Sequence, residues 1–314
     1  MNLDFSDINV LVIGDFMIDN YVMGESTRMS PEGPIPVIES KPMEYSMPGG
    51  AGNVAMNLCA MGANVTCVGY IGDDSWGDKL LSMLDRDNID ISNIERSESA
   101  VPTTLKQRIY SNGKQVVRLD TEEIYEFDCS NLLPDISLAQ NYDVIILSDY
   151  NKGVLNRPWF SDLNWFLLDN VIVDPKKDDF SHYKNAKIIT PNLNELQRTS
   201  KTEIKDNQSI VDASNELIQK CNFNYIVTKK GDKGMTVVGK DNFVKHIKAH
   251  PVENPDVTGA GDTVVAALSL AFAKTKDIEI SAKFANAAAA VVVGKTGTAT
   301  VTIDEINNYI SIDE

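Results

Sequence analysis

The 314-residue sequence has few of the residues on which metal and redox sites are usually built. It contains 4 cysteines, none in a CxxC pair, and 3 histidines, none in an HExxH pattern or beside a Gly-x-Ser-x-Gly segment. These absences argue against a zinc or redox motif and against histidine-based metal or triad chemistry. Free, buried thiols are the simpler expectation for the cysteines.

Positive charge is also scarce. The chain has 29 Lys and Arg against 45 Asp and Glu, a formal net charge of -16, which argues against a broad surface for nucleic acid or anionic membrane. No apolar run approaches the roughly 20 residues that span a bilayer, and the N-terminus lacks the basic region of a signal peptide. We therefore expect a cytoplasmic protein that holds any anion locally.

The composition, 43% hydrophobic and 24% charged, is that of an ordinary globular protein. Short β-branched runs alternate with helical patterns, which predicts a mostly parallel sheet covered by helices, an α/β/α three-layer sandwich. The predicted strands are 9–13, 65–71, 144–147, 171–173, 187–190 and 225–228. The predicted helices are 51–60, 76–84, 159–168, 195–199 and 209–220, followed by two Ala-rich apolar helices at 259–273 and 281–293.

Two segments interrupt this alternation. Residues 16–47 are rich in proline, and residues 103–120 read as two strands around the turn Asn112-Gly113. Hairpins are antiparallel and prolines break central strands, so these segments fit the parallel sheet poorly. We interpret them as a small β lid over one edge, with decorative surface hairpins as the alternative.

The segment Asp256–Thr263 opens a strongly apolar helix with two glycines. Backbone N–H groups at such a helix start converge on an anion, here from Gly259, Ala260 and Gly261. Asp262, in the first turn, is either a helix cap or a general base beside this anion hole. Two other candidate phosphate loops fail, because 294–296 lacks the Walker A glycine and 50–55 lacks a preceding strand.

Three motifs together resemble those of the pfkB, or ribokinase-like, carbohydrate kinases: PGGAGNVAMNL at 48–58, TPNLNE at 190–195 and DVTGAGDT at 256–263. The resemblance covers residues 1–314 and implies one kinase domain of the ribokinase fold. Within this family, the sequence most resembles the D-glycero-β-D-manno-heptose 7-phosphate kinases. The stretches that carry this likeness are GDFMIDNYVMGESTRMSPEGPIPV, QVVRLDTEE, LSDYNKGVL, VDPKKDDF and FANAAAAVVVGKTGT.

The resemblance implies that Asp262 is the base and that ATP with Mg²⁺ is the phosphoryl donor. Asn192 and Glu195, three residues apart, would share a helix face and hold a hydrated Mg²⁺, with Glu195 binding it through water; a helix cap is their alternative role. Further nucleotide contacts are expected from Thr228, Lys229, Gly231 and Asn286. A monovalent cation stays open as an additional activator.

On the sugar side, the resemblance points to acidic groups for the hydroxyls and glycine and amide donors for the ring. These residues are Asp15, Asp19, Gly49, Gly50, Asn53 and Asp174. A sugar phosphate also needs its own cations, because the protein as a whole is acidic. The candidates are Lys106, Arg108, Arg118, Lys152 and Lys176.

We therefore expect an ATP-dependent kinase that phosphorylates the anomeric hydroxyl of heptose 7-phosphate, with a sugar phosphate and ATP as its small-molecule partners. The sequence has no HxGH nucleotidyltransferase motif, so only the kinase step is expected. The resemblance also implies a homodimer, paired through exposed lid edges. A kinase for ribose, a fructose phosphate or a nucleoside remains an alternative, as does an idle sugar-sensing or scaffold protein.

Overall fold

The computed structural model describes residues 3–40, 44–97, 101–124, 139–156 and 169–313. Its central sheet has nine strands in the order β14-β13-β12-β11-β10-β9-β1-β5-β6. Their bounds are β1 Asn9–Gly14, β5 Asn64–Gly72, β6 Ile89–Ser97, β9 Val144–Ser148, β10 Val171–Asp174, β11 Ile188–Ile189, β12 Tyr225–Lys229, β13 Met235–Gly239 and β14 Val244–Ile247. Neighbouring strands are parallel from β12 to β6, and the pairs β12–β13 and β13–β14 are antiparallel.

Alternation along the central strands gives the sheet two buried faces. In β1, Val10 and Val12 join one apolar cluster, whereas Leu11 and Ile13 join the other, because successive side chains point to opposite faces. One face is covered by α1 Ala51–Ala60, α2 Ser75–Leu84, α5 Ala260–Thr275, α6 Ile278–Val293 and α7 Ile303–Asp313. The other is covered by α3 Leu193–Ser200 and α4 Asn207–Cys221.

This architecture confirms the predicted three-layer sandwich and each of its six predicted strands. The sequence reasoning missed β6, β13 and β14, which lie at the two ends of the sheet order. The predicted helix 159–168 lies outside the described residues. The interpretation of residues 1–314 as one domain stays a prediction.

A second, five-stranded sheet contains both segments that were interpreted as a lid, and we call it the lid sheet or lid. It contains β2 Phe16–Met29, β3 Pro36–Ser40, β4 Tyr45–Gly50, β7 Thr104–Ser111 and β8 Lys114–Thr121. The hairpin between β7 and β8 turns at Asn112 and Gly113, which have φ values of 52° and 77° as the Asn-Gly signal predicts. Two features were not foreseen: β2 pairs in parallel with β7, and the segment before Gly50, read as non-strand, is β4.

Among the described residues, no helix is both long and apolar enough to cross a membrane. Cys59, Cys67 and Cys221 are free thiols, as expected, and the fourth cysteine lies outside the described residues.

Candidate active site

Asp262 lies in the first turn of α5, and this helix begins directly after a glycine in the left-handed region. Gly259 is the N-cap residue, with φ 73°, and a Cβ placed there would lie 2.5 Å from Nδ2 of Asn53. Any other residue at position 259 would therefore be strained and would displace Asn53. The first N–H groups of α5 have no partners inside the helix. The sequence predicted an anion hole at this helix start.

The Asp262 carboxylate is buried, only 2% exposed, and is fixed from two sides. Tyr150 donates its hydroxyl to Oδ1 at 2.5 Å, and Asn53 donates its amide to Oδ2 at 2.8 Å. Burial raises the pKa of Asp262 to about 7, although the two hydrogen bonds oppose the shift. A carboxylate with this pKa can both accept and release a proton near neutral pH, as a general base must.

A cavity of about 690 Å³ lies beside the start of α5. Its lining includes the apolar side chains of Val252, Ala289 and Val293, the amide of Asn286, and the charged groups of Asp174 and Lys229. Further lining residues are Tyr150, Lys176, Asn192, Glu195, Gly231, Ala260 and Gly261. A cavity lined by both apolar and charged side chains suits a nucleotide, which has an apolar base and charged phosphates.

The buried Asp174 and the mostly buried Lys229 form an ion pair on the cavity wall. Nζ of Lys229 lies 2.5 Å from Oδ1 of Asp174, which also accepts the Thr190 hydroxyl at 2.9 Å. Burial raises the pKa of Asp174, and the lysine opposes the shift. The pKa of Lys229 is raised because Asp174 and Glu195 outweigh its own burial. The expected sugar contact from Asp174 is thus occupied by a lysine that faces the cavity.

Asn192 and Glu195 form a capping box at the start of α3. The Glu195 N–H donates to the Asn192 side chain at 2.9 Å, and the Asn192 N–H donates to Glu195 Oε2 at 2.8 Å. The other Glu195 oxygen accepts Nζ of Lys176 at 3.1 Å. Both carboxylate oxygens already have hydrogen-bond partners, so the cap fits the predicted Mg²⁺ role best with an ion held through its water shell.

The oxygen donors of Glu195 and Asp174, both on the cavity wall, suit such a hydrated ion. Within the described ranges, no group of three or more His, Cys, Asp and Glu residues is arranged to hold a metal directly. Two expectations on this side need correction. Thr228 is buried in β12 and is absent from the described cavity lining, because it faces away from its neighbour Lys229. Lys176 lies at the cavity with Glu195, apart from the lid cations with which it was grouped.

On the lid side, Asp19 of β2 pairs with Arg108 of β7, and the Arg108 guanidinium also lies over the ring of Tyr21. Gly49 and Gly50 end β4, paired with Met17 and Phe16. A Cβ at Gly49 would lie 2.5 Å from Oδ2 of Asp19, so the glycine makes room for this carboxylate.

The remaining lid cations gather around two carboxylates. Glu122 receives Lys152 at 2.8 Å and Lys106 at 3.2 Å, one on each oxygen. Arg118 forms two hydrogen bonds to Asp120, both of 2.9 Å, and its side chain is 50% exposed. Four of the five predicted cations are therefore brought to one region, although their pairing with acidic side chains was not predicted.

Asp15 has a different environment from Asp19, although the sequence grouped them. Its carboxylate accepts three backbone N–H groups, from Tyr150, Lys152 and Val154. Burial and the nearby Asp149 raise the pKa of Asp15 to about 6. Tyr150 was also missed as a site residue; its only signal was its position just after β9, at the edge of the sheet where open α/β folds bind ligands.

Comparison with known proteins assigns this fold and site to a class of protein. The chain belongs to the pfkB family of carbohydrate kinases, whose profile matches residues 7–305. Among curated proteins it is 40% identical over 313 residues to the bifunctional protein HldE of Aliarcobacter butzleri and 39% identical over 318 residues to that of Nitrobacter hamburgensis. These alignments cover 96% and 98% of this chain but 64% of each relative's length.

Solved structures support the same fold. Arabidopsis thaliana ribokinase complexed with ribose and ATP has a TM-score of 0.73 at 20% identity, covering 96% of this chain and 98% of its own. Phosphofructokinase-2 from Escherichia coli in complex with fructose-6-phosphate has a TM-score of 0.75 at 18% identity, covering 98% of this chain and 99% of its own. At these identities the likeness establishes the fold alone.

Proposed function

We propose that this chain transfers the γ-phosphoryl group of ATP to the anomeric O1 of D-glycero-D-manno-heptose 7-phosphate, giving the 1,7-bisphosphate. The observation that carries the proposal is the position of Asp262. It lies at a helix start whose Ala260 and Gly261 line the nucleotide-sized cavity, and it contacts Tyr150, two residues before the lid-bound Lys152. In this proposal, the same carboxylate would lie next to both substrates.

In the proposed reaction, the sugar O1 attacks the γ-phosphorus while Asp262 accepts the O1 proton. The new O–P bond forms as the bond between the γ-phosphorus and the β,γ-bridging oxygen breaks, and that oxygen leaves with ADP. The N–H groups at the start of α5 and the Lys229 ammonium would stabilise charge on the transferring group. Mg²⁺, held through water by Glu195 and Asp174, would neutralise phosphate charge when bound.

The choice of sugar rests on the resemblance of the sequence to heptose 7-phosphate kinases and on the four lid cations. A phosphate needs hydrogen-bonding cations, and Lys106, Arg108 and Lys152 are mostly buried at the lid rather than free on the surface. The first two are on β7 and the third follows β9, so both sheets contribute to the proposed phosphate site.

The direct test is ADP release by the purified chain with ATP, Mg²⁺ and a panel of sugars and sugar phosphates. We expect the highest kcat/KM with heptose 7-phosphate and an anomeric phosphate in the ³¹P NMR spectrum of the product. A higher kcat/KM with ribose, a fructose phosphate or a nucleoside would assign the site to that substrate. No turnover with any member of the panel would favour the idle, sugar-sensing alternative.

We also propose that the chain forms a homodimer through the lid. β8 is the edge strand of the described lid sheet, and its Val116, Val117 and Leu119 are about half exposed. An exposed apolar edge strand is a template for pairing with a second copy. Sedimentation should give twice the 34.6 kDa chain mass; a mass of one chain at working concentration would contradict the dimer.

A further inference from the structure

The segment that follows β9, residues 149–154, is held in one conformation by two buried carboxylates. We call it the tyrosine loop. Oδ2 of Asp15 accepts the N–H groups of Tyr150 at 2.8 Å and Lys152 at 3.0 Å, and Oδ1 accepts that of Val154 at 3.2 Å. Asp149 accepts the N–H of Asn151 at 2.6 Å and the hydroxyl of Tyr183 at 2.6 Å.

This bracing is strong enough to support an unusual backbone. Asn151 has φ 57°, a left-handed conformation that a non-glycine residue adopts at some cost. Hydrogen bonds from backbone N–H groups to carboxylates are charge-assisted and stronger than neutral ones. These hydrogen bonds stabilise one shape of the loop, and in that shape the Tyr150 hydroxyl contacts Asp262.

Tyr150 and Asn53 approach Asp262 from different elements and donate to different oxygens. With a donor on each oxygen, the carboxylate cannot rotate without losing a hydrogen bond. Each oxygen has two lone-pair directions, so a sugar hydroxyl can still reach the same carboxylate.

We propose that Tyr150 is a positioning residue for the general base, and that Asp15 acts through the tyrosine loop to hold it there. The proposal rests on the role of Asp262 in the proposed function. It also replaces the sequence-based interpretation of Asp15 as a sugar ligand, because that carboxylate already accepts three backbone N–H groups, whereas Asp19 keeps its place beside the lid cations.

The groups that face Asp262 set its pKa, so the loss of the Tyr150 hydroxyl should be measurable as a change in that pKa. Burial and the Asp174 charge at the end of β10 raise the pKa of Asp262, whereas Tyr150, Asn53 and Lys229 lower it. Removing the Tyr150 hydroxyl removes a donor that favours the ionised form. The ionised fraction of Asp262 at a given pH should fall, and it should be recovered by raising the pH.

The test is the pH dependence of kcat for Tyr150→Phe with ATP, Mg²⁺ and the best sugar substrate. We expect the acidic limb of the profile, the range in which kcat rises with pH, to move to higher pH by about one unit. At a given pH on that limb, kcat should be about tenfold lower than for the unchanged chain. The rate should approach that of the unchanged chain above the limb. Tyr225→Phe, a tyrosine that packs against Phe243 and Phe272 away from Asp262, is the matched control and should leave the limb in place.

Asp15→Asn is the second variant, because it keeps the side-chain shape but removes the charge that accepts three N–H groups. It should move the limb in the same direction as Tyr150→Phe, and the double variant should add little, since both changes act through one hydroxyl. A uniform drop in kcat at every pH, or an unchanged profile, for Tyr150→Phe would overturn the proposal even if Asp15→Asn failed to fold.

Asp262→Asn separates this proposal from the proposed function. If Asp262→Asn abolishes turnover while Tyr150→Phe leaves the limb unmoved, the base assignment stands and the positioning role is wrong. If Asp262→Asn keeps near-normal turnover, the base assignment itself fails.

Discussion

The side-chain amide of Asn53 donates a hydrogen bond of 2.8 Å to Oδ2 of Asp262, although 209 positions separate the two residues in the chain. It joins α1, which follows the lid strand β4, to α5, which borders the nucleotide-sized cavity. Asn57, one turn further along α1, accepts the hydroxyl of Thr263 at 3.2 Å and strengthens the same junction. Two of the three motifs in the sequence therefore meet at one carboxylate.

The first prediction concerns Asp262→Asn. The amide cannot accept the O1 proton, so kcat should fall by about 10²- to 10⁴-fold or more while ATP still binds. Steady-state kinetics and titration calorimetry with ATP measure the two effects separately. Asp212→Asn, on the exposed side of α4, is the control that should leave both unchanged. Near-normal turnover by Asp262→Asn would rule out its role as the base.

The second prediction is a pH dependence. Because the pKa of Asp262 is raised to about 7, the carboxylate is mostly protonated below that pH and cannot act as a base. The rate should therefore rise with pH, by about tenfold per unit on the acidic limb, and level off above it. A profile of kcat against pH checks this. A flat profile from about pH 5.5 to 8 would indicate a base with an ordinary carboxylate pKa.

The third prediction compares two lid cations. Lys152→Ala should raise KM for the phosphorylated sugar by about tenfold or more, because charge-assisted hydrogen bonds are worth about 1.5–3 kcal/mol. Arg118→Ala should have a smaller effect, since Arg118 is half exposed and already paired with Asp120. The free sugar, without its phosphate, is the control substrate. Equal increases in KM for both sugars would argue against a phosphate site here.

The fourth prediction concerns Glu122, which shares its carboxylate between Lys106 and Lys152. A substrate phosphate would compete with this carboxylate for the same two ammonium groups. Glu122→Gln keeps the shape and removes the charge, so KM for the phosphorylated sugar should fall by about threefold or more, a smaller change than the loss of a whole charge-assisted bond because both lysines stay in place. Glu123→Gln is the neighbouring control. A raised KM would mean instead that Glu122 helps to bind the sugar.

The fifth prediction concerns stability. Asp174→Ala would remove the 2.5 Å partner of the mostly buried Lys229 ammonium, which should cost about 2 kcal/mol of unfolding free energy, since hydrogen bonds to charged groups contribute about 1.5–3 kcal/mol. Denaturant titration measures the loss. Lys187→Ala, which breaks a pair with the exposed Asp169, should cost about 1 kcal/mol or less. Equal losses for the two variants would show that the Asp174–Lys229 pair is not a buried interaction of this kind.

The sequence by itself determined the layers of the fold and the local features of the candidate site. Alternation in β1 and the Ala-rich periodicity of α5 and α6 are local patterns, as is the Asn-Gly turn of the lid, and the structure follows all three. The glycines before Asp262 are likewise local, because a left-handed N-cap at Gly259 needs a residue without Cβ. Such features depend on neighbours in the chain, which a sequence displays directly.

Only the tertiary structure decided which charges meet. The sequence grouped Asp15 with Asp19, but the first braces the tyrosine loop and the second pairs with Arg108. It grouped Lys176 with the lid cations, but that lysine lies on Glu195. The Asp19–Arg108 and Lys176–Glu195 ion pairs and the Tyr150–Asp262 hydrogen bond join residues that are distant in the chain. A long side chain can contact such a partner only when the strand order has brought the two residues within reach.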